Sequence, residues 1–193
     1  SWAAPWTSPW APDDARPLVL VSFSTTFQNQ AALLQRVADA LTGLPVRGLI
    51  TLGGSIRRDE LAAPANVHLA DSAPHDALMR EAALVVTHGG HGTVVRALTH
   101  RRPMLVFPQG RDQNDNAVRV TTRGAGLALA PDAGVEEITA ALRRLLDEPD
   151  FARAAARLGQ AVAVDTKISP VVVELETLAR QPARQRTPEL CPG

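Results

Sequence analysis

The sequence predicts an α/β protein, a Rossmann-like, doubly wound parallel sheet of about six strands flanked by helices. Three observations predict it. Short, continuous apolar runs alternate with amphipathic stretches of about ten to fifteen residues, the signature of parallel strands buried on both faces. Glycines punctuate this alternation, as Gly53-Gly54 and again between Gly89 and Gly92. The chain has 193 residues, 45% hydrophobic and 21% charged. One domain of that size buries roughly 70% of the surface its unfolded chain exposes, so the fold needs neither a disulfide nor a structural metal.

The elements follow in order. Ser1 to Arg16 carries Trp2, Trp6 and Trp10 with Pro5, Pro9 and Pro12 and shows neither helical nor alternating periodicity. It reads as an extended arm or linker. Tryptophans are costly to expose, so this arm lies either on its own domain or on a surface shared with a second one. Leu18–Ser24 is an apolar, β-branched strand, and Asn29–Leu44 repeats Leu33, Leu34, Val37, Ala38 and Leu41 at helical spacing. Strand Val46–Leu52 precedes the glycine pair. Then come strand Val67–Ala70, helix His75–Ala83, strand Leu84–Thr87, helix Gly92–His100, strand Met104–Phe107, helix Gln113–Arg123 and a short strand Gly126–Leu129. Helix Val135–Asp147 places Ile138, Leu142, Leu145 and Leu146 on one face before Pro149 breaks it. Helices at Phe151–Val164 and Pro170–Ala179 close the domain, and residues 180–193 read as a frayed tail.

Composition narrows the partners. Twenty basic side chains balance twenty acidic ones and the pI is near 7, which argues against a nucleic-acid footprint or an electrostatic membrane anchor. No run approaches the ~20 apolar residues of a membrane span, and the first residues lack the layout of a signal peptide. A single cysteine, Cys191, forms no intrachain bridge and fits a reducing cytoplasm. Lys167 is the sole lysine among many arginines, a bias that GC-rich codons explain.

Ligands of open α/β sheets sit beyond the carboxyl ends of the strands, so the strand-to-helix turns carry the search. One stands out: Leu84–Thr87 runs into His88-Gly89-Gly90-His91-Gly92-Thr93 and directly into a helix. The glycines remove Cβ atoms that would hold a ligand off the main chain, and a helix start offers unpaired N–H groups and a positive dipole end. Phosphate suits such a turn, with Thr93 adding a hydroxyl and His88 an imidazole N–H. A dinucleotide fingerprint is weak because Val95 stands where Gly or Ala is required. A Walker loop fails for want of lysine, a hydrolase elbow for want of serine, and a zinc site for want of Cys or Glu partners. A turn needed only for tight packing leaves the two histidines unexplained.

A second cluster follows the next strand, Pro108-Gln109-Gly110-Arg111-Asp112-Gln113-Asn114-Asp115-Asn116-Ala117. Asp112 and Gln113 supply the acceptors and donors that vicinal sugar hydroxyls need, while Asp112 as an N-cap is the simpler alternative. Ser24 and Thr25 end the first strand with hydroxyls suited to phosphate or ribose. Ala73, Pro74 and His75 end the third and can face a nucleobase, though His75 reads equally as an exposed helix-start residue.

His88-Gly89-Gly90-x-Gly92-Thr93 followed by Pro108-Gln109-x-x-Asp112-Gln113-x-x-Asn116-Ala117 resembles the donor-site signature of GT-B family 1 glycosyltransferases. It is most similar to bacterial enzymes that decorate macrolide, enediyne and aromatic polyketide natural products, over about Pro17 to Ala179. The resemblance implies the carboxy-terminal, nucleotide-binding half of such an enzyme. His88, Gly89, Gly90, Gly92 and Thr93, with Ser24 and Thr25, would then contact the diphosphate. Asp112 and Gln113 would contact the sugar, and Ala73, Pro74 and His75 the base and ribose. The plant form has a Trp platform and a Pro-Gln pair where this chain reads Ser72-Ala73-Pro74-His75, so the base stays open between uridine and thymidine. The resemblance further implies inverting transfer from a nucleotide diphosphate sugar to a small-molecule acceptor, without metal or bound cofactor. The catalytic base is then expected in an amino-terminal acceptor domain, with residues 1–16 as the linker to it. Alternatives are a non-catalytic sugar-nucleotide-binding partner subunit and half of a sugar-nucleotide epimerase; a homo-oligomer is left open.

Overall fold

The computed structural model describes residues 6–23, 30–54 and 56–168, with side chains through residue 163. Its strands are β1 (Leu18–Ser22), β2 (Arg47–Thr51), β3 (Val67–Ala70), β4 (Leu84–Thr87), β5 (Met104–Val106) and β6 (Gly126–Ala128). All five pairings are parallel, in the order β3-β2-β1-β4-β5-β6. The expected doubly wound sheet is therefore present, with the change of direction between β1 and β4. The register sets Ser22 opposite Thr51 on one side and Thr87 on the other, and Thr87 opposite Val106, so these strands end along one edge.

The helices are α1 (Ala31–Thr42), α2 (His75–Glu81), α3 (His91–Thr99), α4 (Gln113–Thr122), α5 (Val135–Asp147) and α6 (Pro149–Ile168). Alternate residues of each buried strand feed two separate cores. Val19, Val21, Ile50, Val86 and Leu105 pack under α1 and α5, whereas Leu18, Leu20, Leu49, Val85 and Met104 pack under α2, α3, α4 and α6. Helix α5 shows the principle locally: Ile138, Leu142 and Leu145 recur on one face and are buried, each stabilising the fold by roughly 1.5–3 kcal/mol.

Several boundaries differ from the sequence reading. The first strand stops at Ser22 because Phe23 turns inward, its ring 6.2 Å from that of Phe107. Helix α3 opens at His91 rather than Gly92. Pro149 ends α5 as expected but also begins α6, since the first helical turn tolerates its missing N–H. A 3-10 turn at Arg58–Glu60, which periodicity does not reveal, is held by Glu60 accepting from the Arg57 N–H. The expected helix Pro170–Ala179 and the tail 180–193 lie outside the described residues, as do Ser24 and Thr25. Among the described residues no helix is long and apolar enough to cross a membrane.

The arm packs on its own domain within the described residues. Trp6 and Trp10 lie against the second core; Trp10 meets His68 edge-on at 6.4 Å and the Arg47 guanidinium sits 5.4 Å above its ring. Arg47 also donates to the Arg16 carbonyl at 2.8 Å and pairs with Glu81 at 3.0 Å, fastening the arm beside β2.

Close packing of α6 on α3 depends on Gly159, where a Cβ would collide with the Leu98 carbonyl oxygen. Gly159→Ala is expected to destabilise the chain by about 3 kcal/mol through overpacking. Gly43→Ala, with no atom within 4 Å of the added methyl, should shift stability by no more than about 0.5 kcal/mol. Urea midpoints of the two variants against the unsubstituted chain measure the difference; equal midpoints would contradict the packing argument.

Candidate functional site

The site forms where the crossovers part. From β1 the chain turns to α1 on one face of the sheet, and from β4 it turns to α3 on the other. The carboxyl ends of these neighbouring strands thus border a crevice that no helix fills. The turn His88-Gly89-Gly90 leads from β4 to α3 at its floor.

Each glycine has its own reason. Gly89 has φ +87°, and a Cβ there would meet Val106 Cγ1 at 2.8 Å, so the turn excludes every other residue twice over. A Cβ on Gly90 would lie 2.6 Å from His88 Nε2, so that glycine makes room for the imidazole. Gly92 has nothing within 4 Å, which leaves the first turn of α3 open to an approaching group. The N–H groups of Thr93 and Val94 both reach the Gly90 carbonyl at 3.0 Å. Those of His91 and Gly92, at the first helical positions, have no carbonyl within the helix to meet. The Gly89 N–H donates to Thr87 Oγ1 at 3.3 Å. Gly89 therefore shapes the turn, and the outward donors belong to His91, Gly92 and the Thr93 hydroxyl.

His88 is buried beside Phe23, ring centroids 6.2 Å apart, and its Nδ1 has no hydrogen-bond partner among the described residues. Buried polar atoms are nearly always paired, so an unpaired imidazole nitrogen at a sheet switch point makes His88 a candidate for binding. Burial, opposed by the nearby Asp112 carboxylate, pushes its pKa down and so favours the neutral ring.

The cluster after β5 is tied together by amides. Gln30, buried at the start of α1, donates from Nε2 to Gln109 Oε1 at 3.0 Å. The Gln109 N–H donates to Gln113 Oε1 at 2.8 Å, and Gln113 is buried. The acceptor end of Gln113 is thus engaged in the loop, and any sugar contact falls to its NH2 group. Asp112 occupies the N-cap position of α4 without a side-chain capping bond; its Oδ2 instead accepts from Asn116 Nδ2 at 3.0 Å. The same amide donates to the Gly89 carbonyl at 3.0 Å. Asn116 stands in the sequence motif without an assigned role. Its spacing of four from Asp112 was the available signal; the bond to Gly89, 27 residues away, left none.

At the opposite side of the crevice Ser22 Oγ and His75 Nδ1 are 3.5 Å apart, joining the end of β1 to the start of α2. Burial lowers the His75 pKa, and the Arg96 guanidinium lowers it further. Pro74 is the residue before α2, and Ala73 packs partly against the second core. The structure thus sets Asp112 close enough to act electrostatically on His88, in the turn that leads to Gly92, and sets His75, at the start of α2, against Ser22 at the end of β1; Ser24 and Thr25 fall outside the described residues. A cavity of about 520 Å³ extends from His91 and Gly92 between α2 and α3, past Asp76 and Arg96. The larger one, about 820 Å³, is a mainly apolar groove of α3, α4 and α6 with Val94, Leu98 and Leu158 in its walls and His91 and Asn116 on its border. Among the described residues no three His, Cys, Asp or Glu side chains gather as a metal site.

The family model described as erythromycin biosynthesis protein CIII-like, C-terminal domain, matches residues 35–178. The chain is 36% identical over 179 residues to aklavinone 7-beta-L-rhodosaminyltransferase of Streptomyces galilaeus, covering 88% of this chain and 40% of that protein. Among solved structures, the glycosyltransferase of kitacinnamycin superposes with a TM-score of 0.79 at 24% identity, over 92% of this chain and 46% of that one. The glycosyltransferase VinC, in complex with dTDP, gives a TM-score of 0.71 at 26% identity, over 86% and 42%. The chain spans less than half the length of each of these relatives.

Wholly and partly buried histidines give the stability a pH dependence. His68, His75 and His88 all have pKa values lowered below the ordinary 6.5, with burial the largest cause. The unfolded chain therefore binds more protons than the native one as pH falls through 6.5, so stability rises with pH across that range and levels off above it. Urea midpoints should fall between pH 7.5 and pH 5.5, with a smaller fall in His88→Gln. A flat profile, or an unchanged slope in the variant, would contradict the burial account.

Proposed function

The chain belongs to the family of erythromycin biosynthesis protein CIII-like C-terminal domains, and from that premise we propose that it is the donor-binding half of a metal-independent, inverting glycosyltransferase. The donor is a nucleotide diphosphate sugar, and the acceptor is a small natural product. One observation carries the reading: the open first turn of α3 at Gly92 lies beside His88, whose buried Nδ1 lacks a partner among the described residues. On this reading the His91 and Gly92 N–H groups, the Thr93 hydroxyl and the His88 imidazole serve the diphosphate.

In an inverting transfer the acceptor oxygen bonds to the anomeric carbon from the face opposite the diphosphate as the bond to the diphosphate breaks. The electron pair of that bond passes to the departing phosphate oxygen, and the acceptor proton passes to a base. Charge on the leaving group grows as the bond opens, so donors already fixed by the helix and the turn stabilise the transition state more than the ground state. A neutral His88 contributes a hydrogen bond without its own full charge having to be buried in the unliganded site. Asp112, close enough to His88 to influence it electrostatically, takes sugar hydroxyls on this reading. His75 with Pro74 and Ala73 frames the nucleoside.

The organisation of the longer enzyme is part of the same proposal. Residues 1–16 form the arm that leads to an acceptor-binding domain holding the base, 17–179 the donor domain, and 180–193 a tail. The bacterial relatives and the absence of a membrane-crossing helix among the described residues support a cytoplasmic bacterial enzyme. The dTDP bound to VinC makes dTDP the first nucleotide to try, with UDP beside it.

Isothermal titration of the chain with dTDP, UDP and their sugars should give heat with at least one; silence with all would refute the reading. His88→Ala should weaken diphosphate binding far more than nucleoside binding, and equal losses would remove His88 from the phosphate role. Gly92→Ala should leave the urea midpoint unchanged, since its methyl meets nothing, yet weaken diphosphate binding about tenfold, the scale of one lost hydrogen bond to a charged group.

A further inference from the structure

Asn116 has two hydrogen bonds that nothing in the proposed transfer uses directly. Its Nδ2 donates at 3.0 Å to the carbonyl of Gly89 in the phosphate turn and at 3.0 Å to Oδ2 of Asp112 at the expected sugar position. Both partners are acceptors, so the orientation of the amide is fixed: only its NH2 group can meet them. The side chain is 4% exposed, whereas Asp112 is exposed apart from this contact. A structural cap is not the explanation, because neither bond closes the backbone of α4.

The two bonds have different consequences. The Gly89 carbonyl held toward α4 fixes the turn that leads through Gly90 into the first turn of α3, and with it the positions of the His91 and Gly92 N–H groups. The φ of +87° at Gly89 belongs to a conformation that glycine leaves easily, and the Asn116 bond opposes its rotation. On the other side, a flexible, exposed carboxylate is confined to one orientation by a buried donor. We propose that Asn116 is a positioning residue that couples recognition of the diphosphate to recognition of the sugar, by holding the Gly89 turn and the Asp112 carboxylate with one amide group. This rests on the donor-site reading given above. Asn116 thus bonds the residue after His88 and the Asp112 carboxylate, which itself acts electrostatically on the His88 ring.

A double-mutant cycle tests the coupling. The unsubstituted chain, Asn116→Ala, Asp112→Ala and the double variant are titrated with thymidine monophosphate, dTDP and dTDP-glucose. Asn116→Ala should weaken dTDP about tenfold, and the monophosphate less than about twofold, with a further loss for dTDP-glucose. That further loss should disappear in the Asp112→Ala background, giving a non-additive cycle for dTDP-glucose and an additive one for dTDP. A merely structural role would weaken all three ligands alike. Equal losses, no loss, or an additive cycle with dTDP-glucose would overturn the proposal. Asn116→Leu, of similar size but without the donor, repeats the test should the alanine variant not fold. In the unsubstituted chain, the Asn116 side-chain NH2 resonances should shift on saturation with dTDP-glucose, and their failure to move would also count against it. No heat from the unsubstituted chain with any ligand would instead refute the donor-site reading and this proposal together; binding with an additive cycle refutes this proposal alone.

Discussion

The constraint on which the site depends is the divergence of two right-handed crossovers at the middle of a parallel sheet. Because β1 sends its chain to α1 and β4 sends its chain to α3 on the opposite face, the strand ends between them cannot be capped by a connecting helix. The sheet must leave a crevice there, whatever its side chains. What the local sequence decides is how near a ligand can come to the main chain. Gly89, Gly90 and Gly92 settle that in three ways: one by its backbone conformation, one by yielding space to His88, and one by leaving the helix start bare.

A bare helix start is useful only if it stays where it is, and much of the surrounding structure works to that end. The turn is backed by Val106 and by Asn116, and α4 is linked through Gln113 and Gln109 to Gln30 on α1. Those amide contacts join segments from three separate strand-to-helix connections along one edge. Buried amides need partners on all sides, so such a chain specifies a single arrangement of the loops more tightly than apolar contacts of the same size. The two cores beneath, one on each face, supply the rigid platform.

Most of the architecture was legible in the sequence because parallel strands buried on both faces must be apolar throughout. Leu18–Ser22, Leu84–Thr87 and Met104–Val106 are such runs, and the helices between them keep a single apolar stripe. The glycine turn was legible for a related reason, since no other residue satisfies Gly89. What escaped the sequence is what the sheet brings together from a distance. Asn116 and Gly89, or Gln30 and Gln109, carry no mutual signal along the chain and meet only after the crossovers are made. Gln113 also misled in part: its type suggests an exposed side chain reaching for a ligand, yet burial turns its oxygen toward the loop. The Arg58–Glu60 turn was hidden because three residues are too few for a periodicity to show.

The arm ahead of the first strand bears on how the domain can be cut from a longer chain. Trp6 and Trp10 cover part of the second core, with Trp10 beside His68 and beneath Arg47, where β2 and β3 reach the edge of the sheet. They do there what a helix does over the other strands. An excision boundary drawn at Pro17, where the regular alternation starts, would strip that cover and present an oily strand edge to solvent, inviting self-association. The folded unit includes Trp6 and Trp10, so an excised domain has to carry these tryptophans along with the sheet they shelter.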